Sequence, residues 1–249
     1  MALKVISYNI HKGLKTGNAQ FILHDLKSML KENDADILFL QEVVGKSDIM
    51  QDRFKDAWPS EGQFEYLADT VWPHFSYGKN AVKEGHHHGN AILSKYPIKT
   101  FENIDITTNR FEQRGLLHCV IEHQGRKLDL LNVHLNLTEK GRSNQTPEII
   151  KRGIHHCHGD AFILAGDFND WRGKVSEVIE REMDVKEAFY EHEGHYAKSY
   201  PSFYPFFRLD RIFYQGLDVK QCQVLQKGTW RKLSDHLPLE VKFDYSSMK

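Results

Sequence analysis

Short apolar runs that end in polar residues recur along the chain, and each has the length of a buried β-strand. The run at 162–165 shows no polar alternation, which favours a strand covered on both faces. It continues through Gly166 and stops at Asp167 and Asn169. A glycine here suggests that the backbone approaches another group closely. Because side chains alternate along a strand, the acid and the amide would face the same way if the chain stays extended.

Comparable runs predict further strands. Their approximate positions are 3–8, 36–40, 91–94, 98–106, 115–122, 127–135, 209–214, 217–225 and 239–243. The strands that flank Gly125 and those that flank Gly216 are each expected to pair as a hairpin.

Helices are predicted between some of these strands. The first has apolar residues near helical spacing at Phe21, Ile22, Leu26, Met29 and Leu30. Further helices are expected at 48–58, 141–158 and 175–183, and an irregular aromatic loop at 190–208. Strands interspersed with helices, without an internal linker, predict one α/β (α+β) domain over residues 1–249.

Composition limits the class of protein. A chain of 249 residues can bury a large core, and its formal net charge of −1 at pH 7 excludes nucleic-acid binding through overall basicity. A local basic patch stays open. Three widely spaced cysteines imply no disulfide framework and favour a reducing compartment. With no leader-like start and no apolar stretch of membrane-spanning length, we expect a cytoplasmic monomer without a transmembrane segment.

Carboxylates, amides and histidines concentrate where the predicted strands end. These residues are Asn9, Glu42, His134, Asp167, Asn169, Asp210, Asp235 and His236. Carboxylate and amide oxygens suit Mg²⁺, with Mn²⁺ as the alternative, whereas Zn²⁺ would favour histidine and thiolate ligands at short spacing. A histidine can donate to phosphate oxygens and an aspartate can deprotonate water. The sequence therefore predicts metal-assisted hydrolysis of a phosphate ester with water as the nucleophile.

Seven short motifs resemble, in order, those of the endonuclease/exonuclease/phosphatase superfamily. They are Ser7-Tyr8-Asn9-Ile10, Leu40-Gln41-Glu42-Val43, Gly89-Asn90-Ala91-Ile92-Leu93-Ser94, Asn132-Val133-His134-Leu135, Gly166-Asp167-Phe168-Asn169, Leu209-Asp210-Arg211-Ile212 and Ser234-Asp235-His236-Leu237-Pro238. This is the fold of deoxyribonuclease I, neutral sphingomyelinases and deadenylases. The resemblance implies a four-layered α/β sandwich, in which two mixed β-sheets pack face to face with helices outside. Segments 85–90 and 112–117 resemble a bacterial subgroup of metal-dependent hydrolases.

The same resemblance implies a metal side of the site. Glu42 would be the main Mg²⁺ ligand, Asn9 would lie close to the metal and the phosphate, and Asp235 would be a second carboxylate on this side. His11 differs from the acid that nuclease members carry two residues after the asparagine, which leaves a second metal position open.

The resemblance also implies catalytic roles. Asp167 would activate the attacking water, Asn169 would orient water or phosphate, and His236 would stabilise charge on the scissile phosphate. Asp210 would hold a histidine by a hydrogen bond. His134 matches the sphingomyelinase-like and deadenylase-like branch.

Three further residues are candidates for substrate binding, namely Arg114, Asn90 and His88. Arg114 has the chemistry to clamp a phosphate, and a structural salt bridge is an equal alternative. For His88, within a run of three histidines, a polar loop is the more frequent explanation. The aromatic segment 200–207 could stack on bases or enter a lipid interface, or it could pack as a support for Asp210.

The leading hypothesis is a Mg²⁺-dependent phosphodiesterase that acts on a small or lipid-derived phosphate ester. The alternatives are an endonuclease or exonuclease acting on DNA or RNA, and a non-catalytic module that binds phosphate ligands. The sequence does not choose between monoester and diester cleavage.

Overall fold

Two β-sheets form the centre of the protein. The computed structural model describes residues 2–15, 17 and 20–245, so the ends of the predicted domain, residue 1 and residues 246–249, lie outside it. The strands are β1 (Leu3–Asn9), β2 (Ile37–Ser47), β3 (His74–Lys83), β4 (His86–Ser94), β5 (Ile98–Asp105), β6 (Gly115–His123), β7 (Arg126–His134), β8 (Ala161–Asp167), β9 (Lys186–Glu187), β10 (Asp210–Gln215), β11 (Leu217–Val224) and β12 (Leu239–Tyr245). The α-helices are α1 (Leu23–Asn33), α2 (Asp48–Phe54), α3 (Gln63–Ala68), α4 (Glu139–His156), α5 (Lys174–Met183) and α6 (Ala188–Glu193).

Each sheet contains six strands in the described part of the chain. The first has the order β11-β12-β1-β2-β4-β3 and the second the order β5-β6-β7-β8-β10-β9. Each is mixed, because β1 pairs in parallel with β2, and β7 with β8, while the other neighbours are antiparallel. The parallel pairs carry their carboxyl ends to one edge of each sheet, and the antiparallel β10 begins at the same edge as β8 ends. This shared edge is where the polar strand ends meet.

Three apolar clusters hold the layers together. One lies between the sheets and contains Val5 and Phe39 from the first sheet and Leu130 and Ile163 from the second. The other two lie on the outer faces, where α1 and α3 cover the first sheet and α4 and α5 cover the second. The result is the helix–sheet–sheet–helix sandwich that the sequence resemblance implied. Among the described residues, none of the helices has both the length and the apolar character needed to cross a bilayer.

A buried amide network joins the two sheets directly behind the shared edge. Gln41 donates to Asn132 Oδ1 at 2.8 Å, and Asn132 donates to the carbonyl oxygens of Leu40 and Ala91 at 3.0 and 2.9 Å. Such a network fixes the relative register of the sheets because an unpaired buried amide is costly.

Several local predictions were wrong. The strands on either side of Gly216 do not form a hairpin, because β10 pairs with β8 and β9 in the second sheet and β11 pairs with β12 in the first. Gly216, at φ +73°, carries the chain from one sheet to the other. The strand β3 was not predicted, β4 begins at His86 rather than after the histidines, and residues 190–193 belong to α6.

Candidate functional site

The shared strand edge opens into a cleft of about 640 Å³. Its polar lining contains seven of the predicted residues, namely Asn9, Glu42, His134, Asp167, Asn169, Asp235 and His236. Its apolar lining consists of Leu137, Trp171, Tyr200, Phe207 and Leu209. Asp210 is buried behind His236. Residues from six different strands or strand-flanking loops therefore converge as the polar pattern predicted.

A buried Asp–His–Asp chain forms the floor of the cleft. His236 Nδ1 lies 2.8 Å from Asp210 Oδ2, and His236 Nε2 lies 3.6 Å from Asp167 Oδ2. The Ser199 hydroxyl donates to the same Asp210 oxygen. Burial alone would lower the pKa of His236, but the negative charges of Asp210 and Asp167 raise it to about 10. His236 is therefore an imidazolium at neutral pH, with Nδ1–H donating to Asp210 and Nε2–H turned towards Asp167.

Asp167 is the point at which the polar groups meet. Its Oδ2 accepts from Asn9 Nδ2 at 3.1 Å and lies 3.4 Å from His134 Nε2. Burial raises the pKa of Asp167 to about 7, in opposition to the charge of His236. Burial, followed by the charge of Arg114, lowers the pKa of His134 well below its ordinary value, which makes it a neutral imidazole. A carboxylate with a pKa near neutrality is suited to accept a proton from water.

The backbone around Asp167 explains its placement. A Cβ on Gly166, which has φ +148°, would lie 2.0 Å from the Val133 carbonyl oxygen, so the predicted close approach of this glycine is confirmed. Asn169 adopts φ +51°, so the chain does not stay extended here, and Asp167 and Asn169 both reach the cleft through a turn instead. The turn lets Asn169 N–H donate to Asp167 Oδ1 at 3.0 Å, while Asn169 Nδ2 donates to the Leu135 carbonyl at 3.0 Å.

Glu42 faces Asp167 across Asn9. Asn9 Nδ2 donates to Glu42 Oε1 at 3.3 Å, and Lys12 Nζ lies 3.6 Å from Glu42 Oε2. Burial would raise the pKa of Glu42, but the ammonium group of Lys12 and the hydrogen bond from Asn9 lower it below its ordinary value. Glu42 is therefore an ionised carboxylate at neutral pH, in a backbone conformation, φ +56°, that is costly for this residue type.

Asp235 also lines the cleft, beside the end of β1. Its Oδ1 lies 3.3 Å from His11 Nδ1 and accepts from Ser234 Oγ at 3.3 Å. Ser234 Oγ also donates to the Asn9 carbonyl at 2.7 Å, which ties the loop before β12 to the end of β1.

These oxygens fit a hard divalent cation. Two carboxylates, Glu42 and Asp167, approach one amide group of Asn9, and the Oδ1 atom of buried Asp210 has no hydrogen-bond partner among the described residues. Asp167, Asp210 and His236 also place one polar atom each within 4.8 Å of one another, but the His236 imidazolium offers no lone pair to a cation, so this group belongs to the Asp–His–Asp chain. A set dominated by carboxylate oxygens suits Mg²⁺ or Mn²⁺ better than Zn²⁺.

The three candidates for substrate binding lie behind the polar lining. Arg114 Nη2 forms a salt bridge with Glu112 at 3.5 Å. His88 Nδ1 contacts His86 Nε2 at 3.2 Å, and burial followed by the charge of Lys12 lowers the pKa of His88 to about 4. Their contact with substrate stays a prediction.

Asn90 serves the sheet interface in this structure. It is buried on β4, and its Nδ2 donates to the carbonyl oxygens of Gly115 at 3.0 Å and Asn132 at 3.3 Å. These contacts give it a supporting position, and a role in substrate binding stays a prediction.

Sequence reasoning missed several residues of the site. No sequence pattern predicted a place in the site for Lys12, Ser199 or the apolar lining residues Leu137 and Trp171. Each of them comes from a turn or loop without a periodic pattern. Ser234 belongs to the last of the seven motifs. A hydroxyl directly before an Asp-His pair at a strand end could have indicated its place in the site.

Comparison with known proteins agrees with this geometry. Residues 6–236 match the model of the Endonuclease/Exonuclease/phosphatase family. The uncharacterized protein YbhP of Escherichia coli (strain K12) is 38% identical over 243 residues, which cover 97% of this chain and 96% of YbhP. The crystal structure of endonuclease/exonuclease/phosphatase from Beutenbergia cavernae DSM 12333 superposes with a TM-score of 0.78 at 17% identity, over 99% of this chain and 72% of that one. The mannosyl-6-phosphatase Bt3783 of Bacteroides thetaiotaomicron VPI-5482 gives 0.73 at 18% identity, over 98% of this chain and 100% of that one. The fold, the order of the site residues and the family match lead to one assignment: the chain belongs to the endonuclease/exonuclease/phosphatase family.

Proposed function

We propose that this protein is a Mg²⁺-dependent phosphodiesterase that uses water to cleave a small or lipid-derived phosphodiester. The observation that carries the proposal is the buried Asp210–His236–Asp167 chain, which faces the ionised carboxylate of Glu42 across Asn9. Members of the family are phosphoric ester hydrolases, and the phosphatase Bt3783 shows the fold with that chemistry. We expect the enzyme to act as a cytoplasmic monomer.

The side chains divide the reaction between them. Asp167, with a pKa near 7, takes the proton from the attacking water, and Asn169 holds Asp167 in orientation through its N–H. The His236 imidazolium presents Nε2–H to the phosphate and stabilises the charge that develops on its oxygens. Neutral His134, 3.4 Å from Asp167, has the reach to hydrogen-bond the water or a phosphate oxygen.

The metal would sit beside Glu42, with Asn9 and Asp235 on the same side of the cleft. When bound, Mg²⁺ or Mn²⁺ supplies positive charge that offsets the negative charge of the phosphate oxygens. The low pKa of Glu42 supports this assignment, because the ligand is already deprotonated at neutral pH.

The test is hydrolysis of bis-p-nitrophenyl phosphate beside p-nitrophenyl phosphate, after treatment with EDTA and again after addition of Mg²⁺ or Mn²⁺. We expect metal-restored cleavage of the diester. Glu42→Gln and His236→Ala should abolish it, whereas Glu122→Gln, at an exposed position on the far end of β6, should leave it unchanged.

Other outcomes would change the assignment. Preference for the monoester would redirect the search to phosphatases, and cleavage of DNA or RNA in place of small diesters would establish the nuclease alternative. Unchanged turnover in both site variants would refute the site. Phosphate binding without turnover of any ester would establish the non-catalytic binding module.

A further inference from the structure

An exposed apolar rim lies at the mouth of the cleft. Its side chains are 49–82% exposed, although each is large and hydrophobic. They are Phe111, Leu137, Trp171, Phe203, Tyr204 and Phe206, and they come from four separate loops. Large apolar side chains gathered on one surface mark an interaction site, whereas a single exposed one needs no explanation.

Contacts between the loops show that the rim is continuous. Leu137 N–H donates to Glu112 Oε1 at 3.2 Å, which places the loop of Phe111 beside that of Leu137. Leu137 and Trp171 line the same cleft. The rings of Trp171 and Phe207 pack edge to face at 6.2 Å, and the ring of Phe206 lies 4.2 Å from that of Phe207.

Arginines accompany the aromatic residues of this rim. The guanidinium of Arg110 lies 4.8 Å from the Phe111 ring, and that of Arg172 lies 4.5 Å from the Trp171 ring. Arg231 donates to the Phe203 carbonyl at 2.8 Å and to other uncharged oxygens. Arg172 shares Glu139 with Lys174, and Glu112, beside Leu137, pairs with Arg114, so the cations outnumber these two acids and leave an excess of positive charge on the rim.

We propose that the rim docks onto the surface of an anionic lipid bilayer, with the cleft facing the headgroups. Aromatic side chains that insert beside cations suit the boundary between headgroups and acyl chains, and arginines near that surface are attracted to anionic lipids. A second protein copy would also cover apolar residues, but the clustered arginines would repel their own symmetry mates across a two-fold contact. Charge complementarity therefore favours the membrane.

The location of the rim connects docking with chemistry. Because Leu137 and Trp171 line the cleft and Phe206 packs against its lining residue Phe207, a docked protein would hold Asp167 and His236 close to the headgroup layer. That a lipid phosphodiester is the substrate rests on the proposed function, whereas docking itself does not.

The experiment is co-sedimentation of the full chain with phosphatidylcholine vesicles, with and without phosphatidylglycerol, at low and high salt. We expect binding to the anionic vesicles that weakens as salt increases. Trp171→Ala and, separately, Phe206→Ala should each weaken partitioning about tenfold, because each removes exposed aromatic area from the contact. The control is Phe101→Ala, which removes a ring that is 60% exposed on β5, away from the rim, and should bind like the wild type.

The outcomes separate docking from catalysis. Glu42→Gln should bind vesicles normally even though it is inactive, so failure of the proposed hydrolysis would leave the docking result standing. Absence of binding to anionic vesicles, or equal binding by all variants, would overturn the proposal. A concentration-dependent dimer in analytical ultracentrifugation that Trp171→Ala dissociates, without vesicle binding, would overturn it in favour of self-association.

Discussion

Replacing Asp210 with Asn removes the charge that keeps His236 protonated while preserving the shape of the residue. The two groups lie 2.8 Å apart and both are buried. Coulomb's law at that distance, with an effective dielectric constant of ~20, gives about 6 kcal/mol. The rise in the pKa of His236 from 6.5 to about 10 corresponds to roughly 5 kcal/mol, although burial opposes it. Asp210 is therefore the largest single source of the rise, and without it the pKa should fall well below 10, although the charge of Asp167 at 3.6 Å still opposes burial.

The sign of the pH effect follows from the charged form. His236 is protonated below its pKa, so the wild type keeps the imidazolium through neutral pH and loses it only near pH 10. In Asp210→Asn this loss moves to lower pH, because the largest of the negative charges that stabilise the imidazolium is gone. We expect kcat to fall by roughly 10²–10⁴, the range for loss of a positioned proton-bearing group, with the alkaline limb of the pH–rate profile displaced downwards.

Two measurements check this expectation. The pKa of His236 is read from the titration of its Cε1–H resonance in metal-free protein, and the rate from metal-restored hydrolysis of bis-p-nitrophenyl phosphate. A matched control is Asp129→Asn, because Asp129 forms a buried pair with His118 at 2.7 Å outside the cleft. Asp129→Asn should leave both the pKa of His236 and the rate of hydrolysis unchanged. If His236 in Asp210→Asn still titrates above pH ~9, or if kcat falls less than tenfold, the reasoning is wrong.

Three other substitutions probe the backbone and packing that support the site. Gly166→Ala should lower the free energy of unfolding by about 3 kcal/mol, because its Cβ would lie 2.0 Å from the Val133 carbonyl oxygen; an unchanged urea midpoint would contradict this. Arg211→Met should lower the free energy of unfolding by about 3–5 kcal/mol in the same assay. The buried guanidinium donates to several oxygens and is the cation next to buried Glu187. A decrease of less than about 1 kcal/mol would show that the charge of Arg211 beside Glu187 is dispensable. Glu42→Gly should raise the free energy of unfolding by about 1–2 kcal/mol while abolishing turnover, because glycine tolerates φ +56°; a less stable variant would refute the strain.

The polar ends of parallel strands made much of the site predictable. Asn9, His134 and Asp167 each close a buried strand, and parallel pairing brings such ends to one edge whatever the order of the sheet. The apolar runs likewise predicted the strands themselves. Alternation in one strand does not identify its partner, however, and this is why β10 and β11 were expected to pair with each other although they belong to different sheets.

The apolar half of the cleft was beyond the reach of sequence patterns. Leu137 and Trp171 follow strands that end at the shared edge, and Phe207 precedes β10, which begins there, so the three residues meet only through the arrangement of the sheet. Lys12 reaches Glu42 from a turn with φ +58°, a conformation that the lysine side chain gives no reason to expect. The whole fold decides which loops lie close together, and the local periodicity of the sequence does not predict it.

Glu42 shows how a departure from regular structure creates the site. Phe39 packs between the sheets, Leu40 packs towards the helices, and Gln41 points back to the second sheet, so regular alternation would turn residue 42 into the helical layer. Val43, and not residue 42, packs into the helical layer, because residues 41 and 42 together lie opposite the single residue Asn90 of β4. The extra residue is a β-bulge, and its left-handed backbone directs the carboxylate into the cleft. Pairing of residues 37–40 before the bulge, and of Val43 and Val44 directly after it, holds this strained conformation in place, as expected where a charged side chain must leave an otherwise apolar strand.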